Sequence, residues 1–462
     1  MSDQRARAIE YARQNREIFL TNLKHLVSIP SVSTSSDHKA EMDRAANMLA
    51  GHLKRIGMEN VRIFPTTGHP VVFGEYLKAG KDVPTVLVYG HYDVQPSEPD
   101  ELWRTPAFEP SVIGENLFAR GASDMKGQVV AALSAVESIH TTTSLPVNVK
   151  FILEGEEEIG SPSLPAFLQE HKDLLACDFA LNPDAGMIAP DIPTIIYALR
   201  GLAYFELRVY GPAHDLHSGI FGGVVHNPAQ ALCELIAGMH DETGRITLPG
   251  FYDRVRSLPD DERAELARLP MDEMYYRRMT GVSQTWGEEG FSPIERVGAR
   301  PTLEVNGLLS GFTGQGSKTV IPAYAMAKIS MRLVPDQDPA EVHQQLLRYL
   351  EQKAPSTIRW EVIPMAGSPA SISDPHHPAT QALALALEKV WGKRPVYKRE
   401  GGSVPVVGDM QKTLSVESVL TGFGLPDDNL HAPNEKLHLP TWYKGIDALI
   451  HFFFNLKEYA QK

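Results

Sequence analysis

VPTVLVYG (Val83–Gly90), MKGQVVAALSAVESIH (Met125–His140) and VNVKFILEG (Val147–Gly155) are the segments that decide the fold of this 462-residue chain. The two outer segments are short, β-rich and apolar without alternation, which is typical of strands buried on both faces of a parallel sheet. The middle segment has the pattern of a helix, so together they predict a strand–helix–strand crossover unit. Ligands bind beyond the carboxyl ends of the strands in such sheets, and we expect a site there.

The rest of the chain predicts a second, smaller domain. Helical spacing runs from about Ile9 to Val27, and helices at 377–391 and 441–458 are expected to return to the first domain. Between them the pattern changes, with an extended segment from Tyr197 to Tyr210, a helix over 227–240, strands over 318–335 and a helix over 339–350. This order favours a small α+β domain inserted into the larger one. Residues 251–300 are charged and irregular.

Composition limits the classes of partner. The chain is 43% hydrophobic and 22% charged, which is the balance of a globular protein. Its formal net charge of -13 disfavours nucleic acid as a partner, because phosphate binding needs a basic face. The sequence shows neither a signal-peptide pattern nor an apolar run of about 20 residues, so we expect a cytoplasmic protein without a membrane partner. Cys177 and Cys233 have apolar sequence neighbours and are expected to be buried, reduced thiols.

The first candidate site motif is GHYD (90–93), at the end of the first predicted strand. Residues two apart on an extended segment face the same way, so Asp93 could accept a hydrogen bond from one ring nitrogen of His91 while the other binds a metal. The alternative is a tight turn that carries a solvated histidine–aspartate pair.

Two acidic motifs follow. In RGASDMKG (120–127), Asp124 lies where a loop becomes the crossover helix, and either caps that helix or bridges two cations. EGEEEIGS (154–161) places four carboxylates in five residues directly after the second strand. It is either a solvated loop or a site where a cation relieves the repulsion between the carboxylates. The three motifs belong to one crossover unit, and their nitrogen and oxygen donors suit zinc.

Further motifs carry a family resemblance through nearly the whole chain. They are NPD (182–184), DLHSG (215–219), KTVIP (318–322), REGGS (399–403) and HAPNEK (431–436). Together with GHYDV, RGASDMKG and EGEEEIGS, they resemble the signatures of the two-metal aminoacylase/carboxypeptidase superfamily, the M20 metallopeptidases. DLHSG, KTVIP and REGGS resemble the branch of carnosinase and the cytosolic non-specific dipeptidases.

The resemblance implies roles for the residues that match these motifs. His91 and Asp184 would bind one divalent metal ion, Glu158 and His431 the other, and Asp124 would bridge them. Asp93 would orient His91, and Glu157 would be the general base that passes a proton to the leaving amine. His217 would stabilise the oxyanion in the partner subunit's site. The substrate's ends would be held by Thr319, Arg332, Glu400 and Ser403. Glu156 receives no role.

The resemblance also implies a fold, an assembly and an activity. The fold is α/β, with a phosphorylase/hydrolase-like catalytic domain around a central, mostly parallel sheet (1–198 and 368–462). An inserted α+β lid domain (199–367) would mediate homodimerisation. The expected activity is hydrolysis of dipeptides or short peptides with two divalent ions per subunit, zinc before manganese or cobalt. The alternatives are an amidase or deacylase of N-acyl amino acids, and a metal-binding scaffold dimer that has lost activity.

Overall fold

The computed structural model describes residues 2–459. Its helices are α1 (Ser2–Gln14), α2 (Arg16–Val27), α3 (Lys39–Arg55), α4 (Lys126–Thr142), α5 (Leu164–Glu170), α6 (Lys172–Leu175), α7 (Ser218–Phe221), α8 (Pro228–Ala237), α9 (Asp260–Leu266), α10 (Glu273–Thr280), α11 (Pro293–Ala299), α12 (Pro339–Lys353), α13 (Pro378–Trp391), α14 (Pro405–Leu414) and α15 (Leu439–Tyr459). Short 3-10 helices span Ser36–His38, Asp100–Leu102 and Glu157–Ile159.

The strands follow the same chain order. They are β1 (Glu59–Phe64), β2 (Val71–Tyr76), β3 (Thr85–His91), β4 (Ser111–Ile113), β5 (Asn116–Phe118), β6 (Asn148–Glu154), β7 (Phe179–Asn182), β8 (Thr194–Leu199), β9 (Gly201–Tyr210), β10 (Leu216–His217), β11 (Thr302–Ser310), β12 (Val320–Ile321), β13 (Tyr324–Leu333), β14 (Arg359–Ser368), β15 (Ser371–Ile372), β16 (Val396–Glu400), β17 (Glu417–Leu420) and β18 (Lys436–His438).

The chain forms two compact units. The first comprises the residues up to Tyr197, Ser373–Tyr397 and the residues from Asp409 onward. The second comprises Ala198–Ile372 and Lys398–Gly408. The assignment of a lid role to 199–367 stays a prediction. No helix within residues 2–459 is long and apolar enough to span a bilayer.

A mixed sheet forms the centre of the first unit, with the order β1-β2-β6-β3-β7-β17-β8. The four middle strands, β6, β3, β7 and β17, run parallel to one another. The flanking pairs, β1–β2, β2–β6 and β17–β8, are antiparallel. The expected α/β fold with a mostly parallel centre is confirmed.

The predicted crossover unit is β3–α4–β6. Every residue of β6 is buried, as are all residues of β3 after Thr85, in keeping with their continuous apolar pattern. Helix α4 is buried along nearly its whole length. The Trp442 indole N–H of α15 donates to Gly127 O at 2.7 Å, which fixes the start of α4. A Cβ at Gly127 would lie 2.2 Å from Ala122 O, so this close approach requires glycine.

Three local expectations need correction. The predicted helix over Ile9–Val27 is two helices, because α1 ends at Gln14 and α2 begins at Arg16. The extended segment over 197–210 lies in two strands, β8 and β9. Cys233 is exposed and Cys177 only partly buried, since Cys233 lies off the face of α8 that packs inward.

The second unit is an α+β sandwich. Its antiparallel sheet has the order β11-β13-β9-β14, and β9 and β13 alternate strictly between buried and partly exposed residues. The buried side chains of the two strands, such as Leu207 and Ile329, join Leu235 of α8 and Leu346 of α12 in one apolar core. Residues 251–300, which read as irregular, contain the short helices α9, α10 and α11.

Candidate metal centre

The site motifs converge at one edge of the sheet in the first unit. His91 is the last residue of β3, and Glu154 is the last residue of β6. Asn182 ends β7, two residues before Asp184, and its Oδ1 accepts the Asp184 N–H at 2.9 Å. Because these strands are parallel, their carboxyl ends lie at the same edge.

His91 is fully buried and held by Asp93. Its Nδ1 lies 3.1 Å from the backbone oxygen of Asp93 and 3.4 Å from Oδ1 of the same residue. The Asp93 carboxylate also accepts the backbone N–H groups of Glu157 at 3.2 Å and Glu158 at 3.0 Å. Asp93 therefore holds both the imidazole and the turn that carries the two glutamates.

Asp124 presents one carboxylate oxygen to each of two histidines. Its Oδ1 is 3.2 Å from His91 Nε2, and its Oδ2 is 2.9 Å from His431 Nε2. Burial opposes ionisation of Asp124, but the hydrogen bonds with His431 and His91 hold its pKa well below the usual value. The alternative reading of Asp124 as the N-cap of α4 does not apply, since Met125 occupies that position.

Two groups of donor atoms share Asp124. The first is His91, Asp124 and Asp184, and the second is Asp124, Glu158 and His431; within each group the donor atoms all lie within 4.8 Å of one another. His431 Nε2 is 3.2 Å from Glu158 Oε2, and the Gln95 amide donates to the same oxygen at 2.8 Å. The structure thus brings together the five predicted ligands in the predicted pairs; their role as ligands stays a prediction.

The acids of this cluster are crowded and poorly solvated. Burial raises the pKa of Asp184 to about 7, with further contributions from Asp124 and Glu158. Burial also raises the pKa of Glu157 to about 9. The charge of His91 opposes this increase in pKa, and the charges of neighbouring carboxylates add to it. Hydrogen bonds with Asp124 and Glu158 raise the pKa of His431 to about 10.

These properties fit divalent cations. Two imidazoles and three carboxylates are a donor set that suits zinc and also other first-row metal ions. Packing such acids together in a buried site is unfavourable unless positive charge balances them. Glu157 belongs to neither donor group, although it lies close enough to Asp184 and Glu158 for their charges to raise its pKa.

The remaining predicted site residues lie in the second unit. His217 is exposed, ends β10 and caps α7, where its Nδ1 accepts the Gly219 N–H at 3.0 Å. Thr319 is also exposed, and its backbone oxygen accepts the Ser218 N–H at 3.1 Å. Thr319 directly precedes β12, whose Val320 pairs with His217 of β10, so His217 and Thr319 are neighbours.

Arg332, Ser403 and Glu400 form a polar cluster of the second unit. The Arg332 Nη1 donates to Ser403 Oγ at 2.8 Å. Arg200 donates to Gly401 O at 3.0 Å, and burial together with the charge of Arg332 lowers the pKa of Arg200 to about 10. Burial opposes ionisation of Glu400, but Lys398 at 2.6 Å and the Gly401 N–H lower its pKa. No role for Arg200 was apparent from the sequence.

The sequence also did not indicate that buried carboxylates behind the site hold its loops together. Glu156 accepts the backbone N–H groups of His69 and Ser163, so it ties the acidic turn to two other loops. Glu435 and Asp428 bond to the segment that carries Asp124. The only sequence signal was that Glu435 belongs to the HAPNEK motif; nothing local indicates its distant partners.

The fold and this geometry agree with comparisons to known proteins. The family described as Peptidase family M20/M25/M40 matches residues 87–455. The chain belongs to this family. It is therefore a metal-dependent peptidase, a hydrolase.

Similar proteins cover almost the whole chain. The Cys-Gly metallodipeptidase of Candida albicans is 30% identical over 94% of this chain and 94% of its own length. The human Beta-Ala-His dipeptidase is 30% identical over 98% of this chain and 92% of its own length. The crystal structure of human carnosine dipeptidase 1 covers 98% of this chain and 99% of its own, with a TM-score of 0.79 and 30% identity.

A related structure has a different named activity. The M20 family metallo-carboxypeptidase of Sulfolobus solfataricus is 32% identical, covers 96% of this chain and 99% of its own, and has a TM-score of 0.84. Membership of the family therefore does not by itself distinguish a dipeptidase from a carboxypeptidase.

Proposed function

We propose that this chain is a dinuclear metallopeptidase that hydrolyses dipeptides or short peptides. The observation that carries the proposal is the pair of donor groups that share Asp124, whose two oxygens face His91 and His431 separately. A carboxylate in this arrangement suits a bridge between two cations.

His91 and Asp184 would hold one ion, Glu158 and His431 the other, with Asp124 common to both. We propose zinc as the first choice, with manganese or cobalt as alternatives, because imidazole and carboxylate donors suit all three. When bound, such ions lower the pKa of water and polarise a carbonyl oxygen. The buried position of His91 and the bonds from Asp93 and Gln95 would keep the donors in place.

Glu157 is proposed as the general base and acid. It has no side-chain hydrogen bond with another described residue, and its main chain is fixed through the Asp93 carboxylate. The raised pKa of Glu157 reflects burial among acids, so positive charge in the two donor groups would lower it toward the working range of a base. It would accept the proton of the attacking water and deliver it to the leaving amine.

The second unit is proposed to hold the substrate's ends. Arg332 has the fork geometry that binds a free carboxylate, with Ser403 beside it and Thr319 and Glu400 as further contacts. Dipeptide substrates are supported by the names of two relatives, a Cys-Gly metallodipeptidase and a Beta-Ala-His dipeptidase.

We further propose that residues 199–367 form a lid and mediate a homodimer, in which His217 stabilises the oxyanion of the partner's reaction. Support comes from the exposure of His217 and from strand β11, which lies at the edge of its sheet. This strand exposes Val305, Leu308 and Leu309 by 42%, 56% and 45%, and such exposed apolar groups favour an interface. A cytoplasmic location stays a prediction from the sequence.

The test is a substrate panel with the metal-reconstituted protein. Free dipeptides, longer peptides with a free carboxyl end, N-acetylated amino acids and N-blocked peptides would be compared. Glu157→Ala and Glu157→Gln are the test variants, and Glu170→Gln at an exposed position of α5 is the control. We expect fast cleavage of free dipeptides, retained in the control and lost by at least 100-fold in kcat in the Glu157 variants.

Each other result has a defined meaning. Preference for longer peptides would make the chain a carboxypeptidase, and cleavage of acylated amino acids alone would make it an amidase or deacylase. Turnover that persists in both Glu157 variants would remove Glu157 from the role of base. Absence of turnover in a chain that binds metal would favour an inactive scaffold.

A further inference from the structure

Two loops of the first unit are joined through fully buried carboxylates. One loop, residues 120–124, precedes α4 and carries Asp124. The other, residues 425–436, follows β17 and carries His431. Glu435 and Asp428 of the second loop have no solvent exposure, and both accept hydrogen bonds from the first. The two loops are about 300 residues apart in sequence and would otherwise be positioned independently.

Glu435 accepts four hydrogen bonds, all from the segment that leads to Asp124. Its Oε1 accepts the backbone N–H groups of Ser123 at 3.0 Å and Asp124 at 3.1 Å. Its Oε2 accepts the Gly121 N–H and the Arg120 Nη1, both at 2.9 Å. Gly121 has φ 80°, a left-handed conformation that lets successive N–H groups turn toward one carboxylate.

Asp428 makes the second connection. Its Oδ2 accepts the Ser123 hydroxyl and the Leu425 N–H, both at 2.7 Å. Its Oδ1 accepts the Lys436 Nζ at 3.1 Å. The carboxylate therefore closes its own loop from Leu425 to Lys436 and fastens that loop to Ser123, the residue before Asp124.

His431 lies between these two anchors and has an unusual backbone. Its φ is 58°, in the left-handed region, and so are the φ angles of Asn429 and Asn434. Residues other than glycine adopt this region at some cost and hold it when surrounding contacts impose it. Asp428 and Glu435 supply such contacts, and so does Asn434, whose Oδ1 accepts the Arg104 N–H at 2.7 Å and whose Nδ2 donates to Leu102 O at 2.8 Å.

We propose that Glu435 is a positioning residue for Asp124, and that Glu435 and Asp428 together set the distance between Asp124 and His431. This inference rests on the proposed function, in which both residues bind cations. A carboxylate that needs only to fill space would be replaceable by a glutamine of the same size. A buried charge with four donors instead fixes the direction in which each donor points, and so the placement of Asp124.

Glu435→Gln tests the proposal, because it keeps the volume and replaces one acceptor oxygen with an NH₂ group. That group would face either two peptide N–H groups or the Gly121 N–H and Arg120, so donors would oppose donors. The matched control is Glu288→Gln in the second unit, a buried glutamate that accepts bonds from Arg300 and Arg245. Both variants lose a buried acid paired with arginine, but only Glu435 contacts the loop of Asp124.

The measurement is binding of Zn²⁺ and of Mn²⁺ alone to the chelator-treated full chain, by equilibrium dialysis with elemental analysis. Unfolding midpoints and kcat and KM for a cleaved dipeptide are measured on the same samples. We expect Glu435→Gln to bind at least one ion tenfold or more weakly and to lose kcat with less than a threefold change in KM. Glu288→Gln should lower the unfolding midpoint and keep wild-type metal affinity.

Wild-type metal affinity and kcat in Glu435→Gln would overturn the positioning role. It would also be overturned if Glu288→Gln, at the same loss of unfolding midpoint, lost as much metal affinity as Glu435→Gln. If Glu435→Gln does not fold, Asp428→Asn is judged by the same criteria. A wild-type chain that binds no metal would overturn the proposed function and this inference together. A wild type with two ions and a Glu435→Gln variant that behaves like it would overturn only this inference.

Discussion

Asp93→Asn separates the two tasks of one buried carboxylate. Asp93 has no solvent exposure, and its carboxylate accepts the Glu157 N–H at 3.2 Å and the Glu158 N–H at 3.0 Å. His91 Nδ1 is nearer to the backbone oxygen of Asp93, at 3.1 Å, than to its carboxylate, at 3.4 Å. Asparagine leaves that backbone oxygen in place, so the substitution should disturb the glutamate turn more than the imidazole.

The magnitude follows from the lost bonds. Asparagine has one acceptor oxygen, so one of the two peptide N–H groups loses a charged acceptor and meets an NH₂ group. A hydrogen bond to a charged group contributes about 1.5–3 kcal/mol, and an unsatisfied buried donor costs a similar amount. We therefore expect a cost of about 3 kcal/mol, which corresponds to roughly a 100-fold loss in rate if it falls on the transition state.

The assay is kcat and KM for a dipeptide, with metal content measured on the same samples. We expect kcat to fall by roughly 100-fold, with KM and the ion bound by the His91 group little changed. Asp338→Asn is the control, since Asp338 also accepts two peptide N–H groups, from Ala340 and Glu341, at the start of α12. A loss of kcat below fivefold, or a loss of metal from the His91 group with kcat per bound metal unchanged, would refute the reasoning.

Three further predictions concern charge. Removal of metal by a chelator should abolish turnover, and the metal-free fold should become less stable as pH rises from 5 to 9. The folded-state pKa values of Asp184 and Glu157 are raised to about 7 and about 9, and their protonated forms stabilise the fold only below those values. Urea unfolding at both pH values checks this, and a sample reloaded with metal should lack the trend. Burial lowers the pKa of His451 to about 4, so the stabilising contribution of the neutral imidazole should be complete above about pH 6.5 and be lost as pH falls toward 4. His451→Leu should therefore reduce the loss of unfolding free energy between pH 7 and 5. The same loss of unfolding free energy in the variant and the wild type would contradict the lowered pKa of His451. Arg332→Lys should raise KM for a dipeptide at least tenfold with kcat within threefold, since lysine lacks the planar fork; equal KM values would exclude Arg332 from carboxylate binding.

The centre of the fold was predictable because its signal is local. The segments that became β3 and β6 lack the alternation of a half-exposed strand, and the segment that became α4 has the spacing of a helix. All three are almost entirely buried, so pattern and burial agree. The antiparallel pairs at the flanks, β1–β2, β2–β6 and β17–β8, were not predicted. The break at Asn15 between α1 and α2 was also missed, because the apolar spacing continues across it.

The site was predictable in part for the same reason. His91, Asp124 and the glutamate pair belong to one crossover unit, so their meeting follows from strand ends that share an edge. Asp184 and His431 came only from the family resemblance. Their placement depends on β7 and β17, which pair in parallel although they are far apart in sequence. Nothing in either segment alone indicates that pairing.

The structure also shows that the carboxylates of the acidic motifs have different hydrogen-bond partners, which the sequence does not indicate. Of the four carboxylates in EGEEEIGS, Glu154 accepts bonds from Tyr89 and Ser161, and Glu156 accepts two backbone N–H groups, so these two hold loops. The other two, Glu157 and Glu158, are the ones to which we assign the proposed chemistry. Asp93 and Glu435 repeat the pattern for the turns of Glu157 and Asp124.

This arrangement has a physical reason. Four of the five residues that face the proposed cations, all except His91, lie outside the α-helices and strands, where the regular hydrogen bonds of those elements are absent. Behind the turn of Glu158 and the loop of Asp124, the carboxylates of Asp93 and Glu435 accept two and three peptide N–H groups, and their negative charge also favours a cation in front of them. Loop position and metal affinity are therefore coupled through the same side chains. Substitution of Glu435 should disturb the loop of Asp124 and lower metal affinity, and substitution of Asp93 should disturb the turn of Glu157 and Glu158. Substitution of a paired glutamate remote from these loops, such as Glu288, should lower stability alone.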